Sequence, residues 1–326
     1  MFCAYCGVDH DGNVRFTNEH VVPYAIGGSD AFTIRVCEKS NNDLGGLVDK
    51  PLIETFVLWS QRFFLGLRGT DGTKPTLDLS GKTLINGEQR KVTYLIHKDR
   101  KELKISPAVT KTPTADGEQW SVSGDPADVR RILEGKMKSV LAKGKQVKDA
   151  DGNVLGLDDL EPLIAASPVK TFTPDIVKTL HVSHLDFARF FAKLALATGH
   201  YVYGELFSRS VHAELLRKAM HARDVLEAII PGAHIWPAES PEAKKVLAPF
   251  QKENSHTLGI LSMEPHVFVA SLFGDIDAII PLGELGTARV LSRLSGRVFQ
   301  IALPSREFHD RTTEEYLSLL LAERRA

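Results

Sequence analysis

Side chains that can bind metal or move protons crowd into the start of the chain. Cys3 and Cys6 are separated by two residues, Glu19 precedes His20, and Cys37 is followed by Ser40, Asn41 and Asn42. Three cysteines are too few for a disulfide framework, and a Cys-x-x-Cys pair in a reducing compartment points to a metal site rather than a bridge. The chemistry open to the other residues is hydrolysis of a phosphodiester. That reaction needs a nucleophile at neutral pH and relief of the charge that grows on the phosphate. A neutral imidazole can take the proton of water, and carboxylate or amide oxygens are hard donors for Mg²⁺. Glu19 and His20 thus offer a ligand and a base side by side. Neighbouring side chains of an extended strand diverge, so the backbone there must bend or bulge for both to reach one phosphate.

The order Cys3-Ala-Tyr-Cys6, Glu19-His20-Val21-Val22-Pro23, Gly27-Gly28 and Cys37 with Asn41 resembles the HNH (ββα-metal) endonuclease family, in its treble-clef zinc-knuckle branch. The resemblance covers about residues 3–50. It implies His20 as general base, Glu19 and Asn41 as ligands of a catalytic Mg²⁺ or Mn²⁺, and Cys3, Cys6 and Cys37 as ligands of a structural Zn²⁺. Two positions depart from the pattern. Ser40 stands where the fourth zinc ligand belongs, and an un-ionised hydroxyl is a poor one. Either His10 is recruited, or water completes the site, or the knuckle holds without metal. The family's middle Asn, which braces the loop carrying the base, is absent; Phe32 or a neighbour stands there.

Around these residues the chain reads as α+β: an N-terminal ββα-metal HNH module over residues 1–62, then a larger α+β domain over 63–326. Turn residues from Gly7 to Asn13 feed a short hairpin that begins at Val14–Thr17. Asn41 to Leu65 has helical spacing, with a break expected near Pro51. Strands are expected at Leu77–Leu79, Lys91–His97 and Leu103–Ile105, with an Asn86-Gly87 turn, and a loop or short strand over Thr110–Gly124. Asp125-Pro126 opens an amphipathic helix. Ser183-x-x-Asp186 opens another whose Phe187, Phe190 and Phe191 are core and which ends at Gly199. A third helix runs from Ser210 to Pro231. Strands follow near 257–261, 266–273, 276–280 and 297–303. Thr312-x-x-Glu315 caps a last helix that ends on Arg324 and Arg325.

At 326 residues, with 43% hydrophobic and 25% charged, the chain can bury a proper core. A net charge of -1 gives no argument for a nucleic-acid partner. The distribution is uneven: residues 1–60 carry eight acids and four bases, and residues 61–150 eighteen bases and eleven acids. The basic residues Arg130 to Lys148 read as a solvated helix face before a phosphate-tracking one. About 18 uninterrupted apolar residues occur nowhere, and Met1–Gly7 lacks the marks of a secretory signal, so no membrane partner and a cytoplasmic location are expected. The resemblance adds DNA as partner, a homodimer as one expectation, and a part in restriction or anti-phage defence. A non-catalytic nucleic-acid-binding module with a degenerate knuckle is the rival reading, and an RNA nuclease a further one.

Overall fold

A computed structural model describes residues 1–85, 87–114, 117–149, 151–169, 175–236, 241–262, 265–283 and 296–323. The chain begins with β1 (Phe16–His20) and β2 (Thr33–Cys37), antiparallel with Phe16 opposite Cys37 and His20 opposite Thr33. Next come α1 (Glu38–Leu44), a π-helical turn (Gly45–Asp49), α2 (Lys50–Ile53) and α3 (Phe56–Leu65). The break or kink expected near Pro51 is present as a π-helical turn directly before α2, and the helical stretch ends at Glu54–Thr55.

Residues 76–180 form one compact unit. It contains β3 (Leu77–Asp78), β4 (Gly81–Ile85), β5 (Glu88–Ile96) and β6 (Lys101–Ile105), followed by β7 (Ala108–Thr114) and β8 (Gly117–Ser123). Then come α4 (Pro126–Leu141), the short β9 (Val147–Lys148) and β10 (Val154–Leu155), and α5 (Leu160–Ala166). β5 pairs with β3, β4 and β6. Of the loop or short strand expected over Thr110–Gly124, the strand is present, as a two-stranded ribbon of β7 on β8, consistent with the β-branched residues Val109, Thr110, Thr112, Thr114 and Val122. Asn86 of the expected turn lies outside the described residues. On α4, Arg130 pairs with Glu161, Arg131 with Asp128 and Lys138 with Glu134, as befits a solvated face.

The other unit joins residues 1–75 to 181–326. Its second part holds α6 (His184–Tyr203), α7 (Glu205–Ser208), α8 (Val211–Met220), β11 (His234–Ile235) and α9 (Pro241–Leu247), then β12 (Ser255–Leu261), β13 (His266–Leu272), β14 (Ile276–Gly283), β15 (Arg297–Ala302), β16 (Phe308–Thr312) and α10 (Thr313–Glu323). Among the described residues the last six strands form one antiparallel sheet in the order β11-β14-β13-β12-β15-β16. Ser183 caps α6 through the Asp186 N–H, and Thr312 and Glu315 make the expected reciprocal box. α6 runs past Gly199 to end at Gly204. Gly199 is needed for packing: a Cβ there would lie 2.2 Å from the Phe207 ring. The third helix, α8, stops at Met220 rather than Pro231. Arg324 and Arg325 lie outside the described residues.

An HNH segment at the N-terminus followed by a larger α+β region is the observed architecture, but the compact units do not divide at residue 62. Val21, Ile26, Phe32, Leu44 and Val48 share one core with Phe187, Phe191, Leu194, Leu258, Phe299 and Ile301. Hydrophobic burial is what closes that unit, so the limit falls at Pro75 and resumes at His181. No helix among the described residues is long and apolar enough to cross a membrane.

Candidate functional site

Cys3, Cys6, His10 and Cys37 converge, with one ligand atom from each lying within 4.8 Å of all the others. A tight turn brings Cys3 and Cys6 together: the Gly7 N–H bonds Cys3 O at 2.9 Å and the Cys3 N–H bonds Val8 O at 3.0 Å, with Gly7 at φ +71°. His10 returns because its N–H bonds Met1 O at 3.0 Å. Cys37 ends β2, and its N–H reaches Cys3 Sγ at 3.4 Å. Zn–S bonds of about 2.3 Å place ligand sulfurs roughly 3.8 Å apart in a tetrahedron. Cys6 Sγ lies 4.0 Å from Cys37 Sγ and 3.2 Å from His10 Nε2. Three sulfurs and one imidazole fit Zn²⁺ in both chemistry and spacing. Ser40 is not the fourth ligand; its Oγ sits 3.1 Å from Cys37 Sγ, placed to donate to that sulfur as a thiolate. Burial pushes the Cys3 thiol up to about 11, a cost that a bound dication removes by displacing the proton.

Arginines fasten this knuckle to the second half of its unit. Arg217 Nε bonds Ala4 O at 2.8 Å, and Arg209 grips Asp9 with two nitrogens at 2.6 and 2.8 Å while lying 4.1 Å over the Phe2 ring.

His20 closes β1. Its Nε2 lies 2.8 Å from Asp30 Oδ1 and its ring 5.4 Å from Tyr24. With Asp30 as acceptor, Nε2 carries the proton and Nδ1 the lone pair. The loop between His20 and Asp30 is closed tightly. A Cβ on Gly28 would sit 1.8 Å from Val22 O, and Gly27 has φ +106°, which is the physical reason for the Gly-Gly pair. Three residues far along the chain hold the loop. Arg306 donates to Tyr24 O at 2.7 Å and Gly28 O at 2.9 Å and stacks 3.5 Å from the Tyr24 ring. His256 Nε2 bonds Ile26 O at 2.7 Å, and Leu303 packs where a Gly27 Cβ would be. Phe32 contributes no polar brace; it packs against Tyr201, Phe299 and Phe308, while its carbonyl receives the Val21 N–H.

No bulge separates Glu19 from His20: both pair with β2 in regular register, so their side chains leave β1 on opposite faces and have separate partners. Glu19 Oε1 meets Lys193 Nζ at 2.5 Å, and the same ammonium meets Asp49 Oδ2 at 2.5 Å. Asn41 donates to Thr17 Oγ1 at 3.1 Å. Thr17 and Glu19 alternate onto one face of β1, so Asn41 and Glu19 serve the same side of the hairpin. Lys193 is fully buried. Burial works against its charge, yet Asp49 and Glu19 outweigh that and hold the ammonium above its usual range. Burial lifts the Asp49 carboxyl despite Lys193, and pushes the Tyr5 phenol well up. Sequence reasoning missed Lys193, although the signal was there. It interrupts the run Phe190-Phe191-Ala192-Lys193-Leu194-Ala195-Leu196, and a lysine inside a helix apolar on all sides is buried and needs a carboxylate.

A strand pair carrying a histidine at its open end, followed by a helix and tied to a Cys₃His knuckle, defines a ββα-metal type of site. Residues 3–57 match the family model described as HNH endonuclease, which makes the N-terminal segment of this chain an HNH segment. No curated protein matches the chain, and no solved structure does.

Proposed function

We propose that the protein is a metal-dependent endonuclease that hydrolyses double-stranded DNA with His20 as general base. The observation that carries this reading is His20 itself, held at the end of β1 with Nε2 on Asp30 and Nδ1 left as the basic atom. Nδ1 takes a proton from water, the hydroxide oxygen bonds to phosphorus, and the bond to the leaving sugar oxygen breaks with that oxygen taking the electron pair. Asp30, an exposed acceptor, favours the tautomer that this step uses without fixing it. Glu19 and Asn41 fit a hard cation: both offer oxygen, both serve one face of β1, and among the described residues Glu19 Oε2 accepts no hydrogen bond. Mg²⁺ or Mn²⁺ held there would neutralise charge on the scissile phosphate. Zn²⁺ on Cys3, Cys6, His10 and Cys37 is structural in this reading, a closed four-ligand site with no open position.

The test is cleavage of plasmid DNA, and in parallel of a structured RNA, with Mg²⁺ or Mn²⁺ by the wild type and His20→Ala. Metal-dependent cutting of DNA by the wild type alone supports the reading; equal cutting by both proteins overturns it. Cutting of RNA alone would make the protein an RNA nuclease. The rival, a nucleic-acid-binding module that cuts nothing, draws on the engagement of Glu19 by Lys193, and binding without cleavage under either metal would favour it. We further propose a cytoplasmic protein acting in restriction or anti-phage defence, as a homodimer where both strands are cut. Loss of phage resistance with His20→Ala in cells tests the role, and sedimentation tests the dimer.

A further inference from the structure

We propose that Lys193 is a positioning residue for the catalytic cation: by holding Glu19 Oε1 from inside the core, it leaves Glu19 Oε2 open, on the face of β1 that Asn41 also serves, as a preset metal ligand. This rests on the nuclease reading above and adds to it a residue 174 positions away from the one it serves.

Four observations support it. The Lys193 ammonium has three protons and three directions, to Glu19 Oε1, to Asp49 Oδ2, and toward the Tyr5 ring at 5.6 Å. Its position is therefore fixed on all sides, within a helix whose residues from Phe190 to Gly199 are buried. The two oxygens of Glu19 are unlike. Oε1 is engaged, whereas Oε2 accepts no hydrogen bond among the described residues and is not among the sealed-off polar atoms, so solvent reaches it. Asp49 is turned the opposite way, with Oδ1 buried and unpartnered, so it faces into the core and is not a second ligand. The charges also matter. One ammonium between two carboxylates leaves a net negative charge, so Lys193 orients Glu19 without cancelling its pull on a cation. A carboxylate fixed by a second group binds metal better than one free to rotate, and such partners are typically worth about 10–100-fold in affinity.

The test uses full-length, zinc-loaded protein and the charge-conserving double variant Lys193→Met/Asp49→Asn, which removes one cation and one anion together. Mn²⁺ binding is read from the EPR signal of the free ion. We expect one Mn²⁺ site in the wild type, lost in Glu19→Gln. In the double variant it should be weakened about 10–100-fold, with DNA cleavage returning to within a few-fold of wild type at saturating Mn²⁺. A mere structural role would lower cleavage at every metal concentration and leave the half-saturating Mn²⁺ unmoved, which would overturn the proposal. Should the double variant not fold, as judged by zinc content and circular dichroism, the wild type supplies the answer. The ammonium of a buried lysine exchanges slowly, and its ¹⁵N signal, assigned by its loss in Lys193→Gln, should shift on titration with Mg²⁺. A signal unmoved at saturating Mg²⁺ overturns the proposal. A wild type that binds no Mn²⁺ at all overturns the nuclease reading itself, a different outcome from a site that binds but ignores Lys193.

Discussion

Acid should unfasten the loop that carries Asp30, and the group responsible is His256. Its imidazole is fully buried at the start of β12, where Nε2 donates to Ile26 O at 2.7 Å and Nδ1 accepts the Phe273 N–H at 3.3 Å. Both nitrogens are therefore satisfied only in the neutral ring. Burial brings its pKa down from 6.5 to about 4, with the nearby Arg306 charge adding to the effect. The unfolded chain takes up this proton near pH 6.5 and the folded chain only near pH 4. The stabilisation is thus complete above pH 6.5 and is lost as the pH falls through that window. At about 1.36 kcal/mol per pH unit, the loss is roughly 3 kcal/mol in full and roughly 2 kcal/mol by pH 5.

Urea unfolding at pH 7, 6 and 5 measures the effect, and His256→Gln isolates it. Glutamine keeps a donor for Ile26 O and an acceptor for the Phe273 N–H but does not titrate in this range. Wild type should lose about 2 kcal/mol more than His256→Gln between pH 7 and pH 5. Parallel pH dependences for the two proteins would refute the account of His256 as a buried neutral fastener.

The purified protein should carry about one zinc per chain by elemental analysis, with its three thiols unreactive to a thiol reagent until a strong chelator is added; His10→Ala should release the metal at lower chelator concentration. Gly28→Ala, which sets a methyl 1.8 Å from Val22 O, should lower stability by about 3 kcal/mol or more, seen as a fall in melting temperature, because backbone and not a flexible side chain is in the way. His20→Ala should reduce cleavage by at least about 100-fold with zinc content unchanged, whereas Asp30→Ala, removing an exposed partner, should reduce it about fivefold or less. Residues 1–62 expressed alone should bind zinc but give no cooperative melting transition by circular dichroism.

Legibility in the sequence followed the range of the interactions. The cap at Ser183, the capping box at Thr312 and four of the six strands of the C-terminal sheet were readable, because each depends on residues a few positions apart or on a strong period. The recruitment of His10 could be raised only as one of three alternatives, since nothing local tells whether a turn brings it to Cys6. The limit after residue 62 followed the span of the motif, and a motif does not mark where a core ends. The extents of α6 and α8 were misjudged for a related reason. Gly199 reads as a terminator from its neighbours, but it is glycine because the Phe207 ring lies against it.

What the sequence hides most is the support of the site, and the reason is physical. The loop after His20 buries Val21, Val22 and Ile26 in the shared core, but those side chains are apolar and cannot hold its carbonyl groups. Its restraints come from where burial is available: Lys193 on α6, His256 on β12, and Arg306 after β15. Lys193 and His256 supply polar contacts in surroundings that exclude water, and Arg306 supplies its own from a partly buried position. The family's middle Asn would brace such a loop from within the motif. Here Phe32 takes up that neighbourhood as an apolar anchor on Phe299 and Phe308, and the polar bracing moves to residues more than 170 positions away. An HNH segment built this way can keep its ligands and its base while depending on the rest of its unit for their geometry. Variation in the sheet and in α6 should therefore alter the site as surely as variation within the motif.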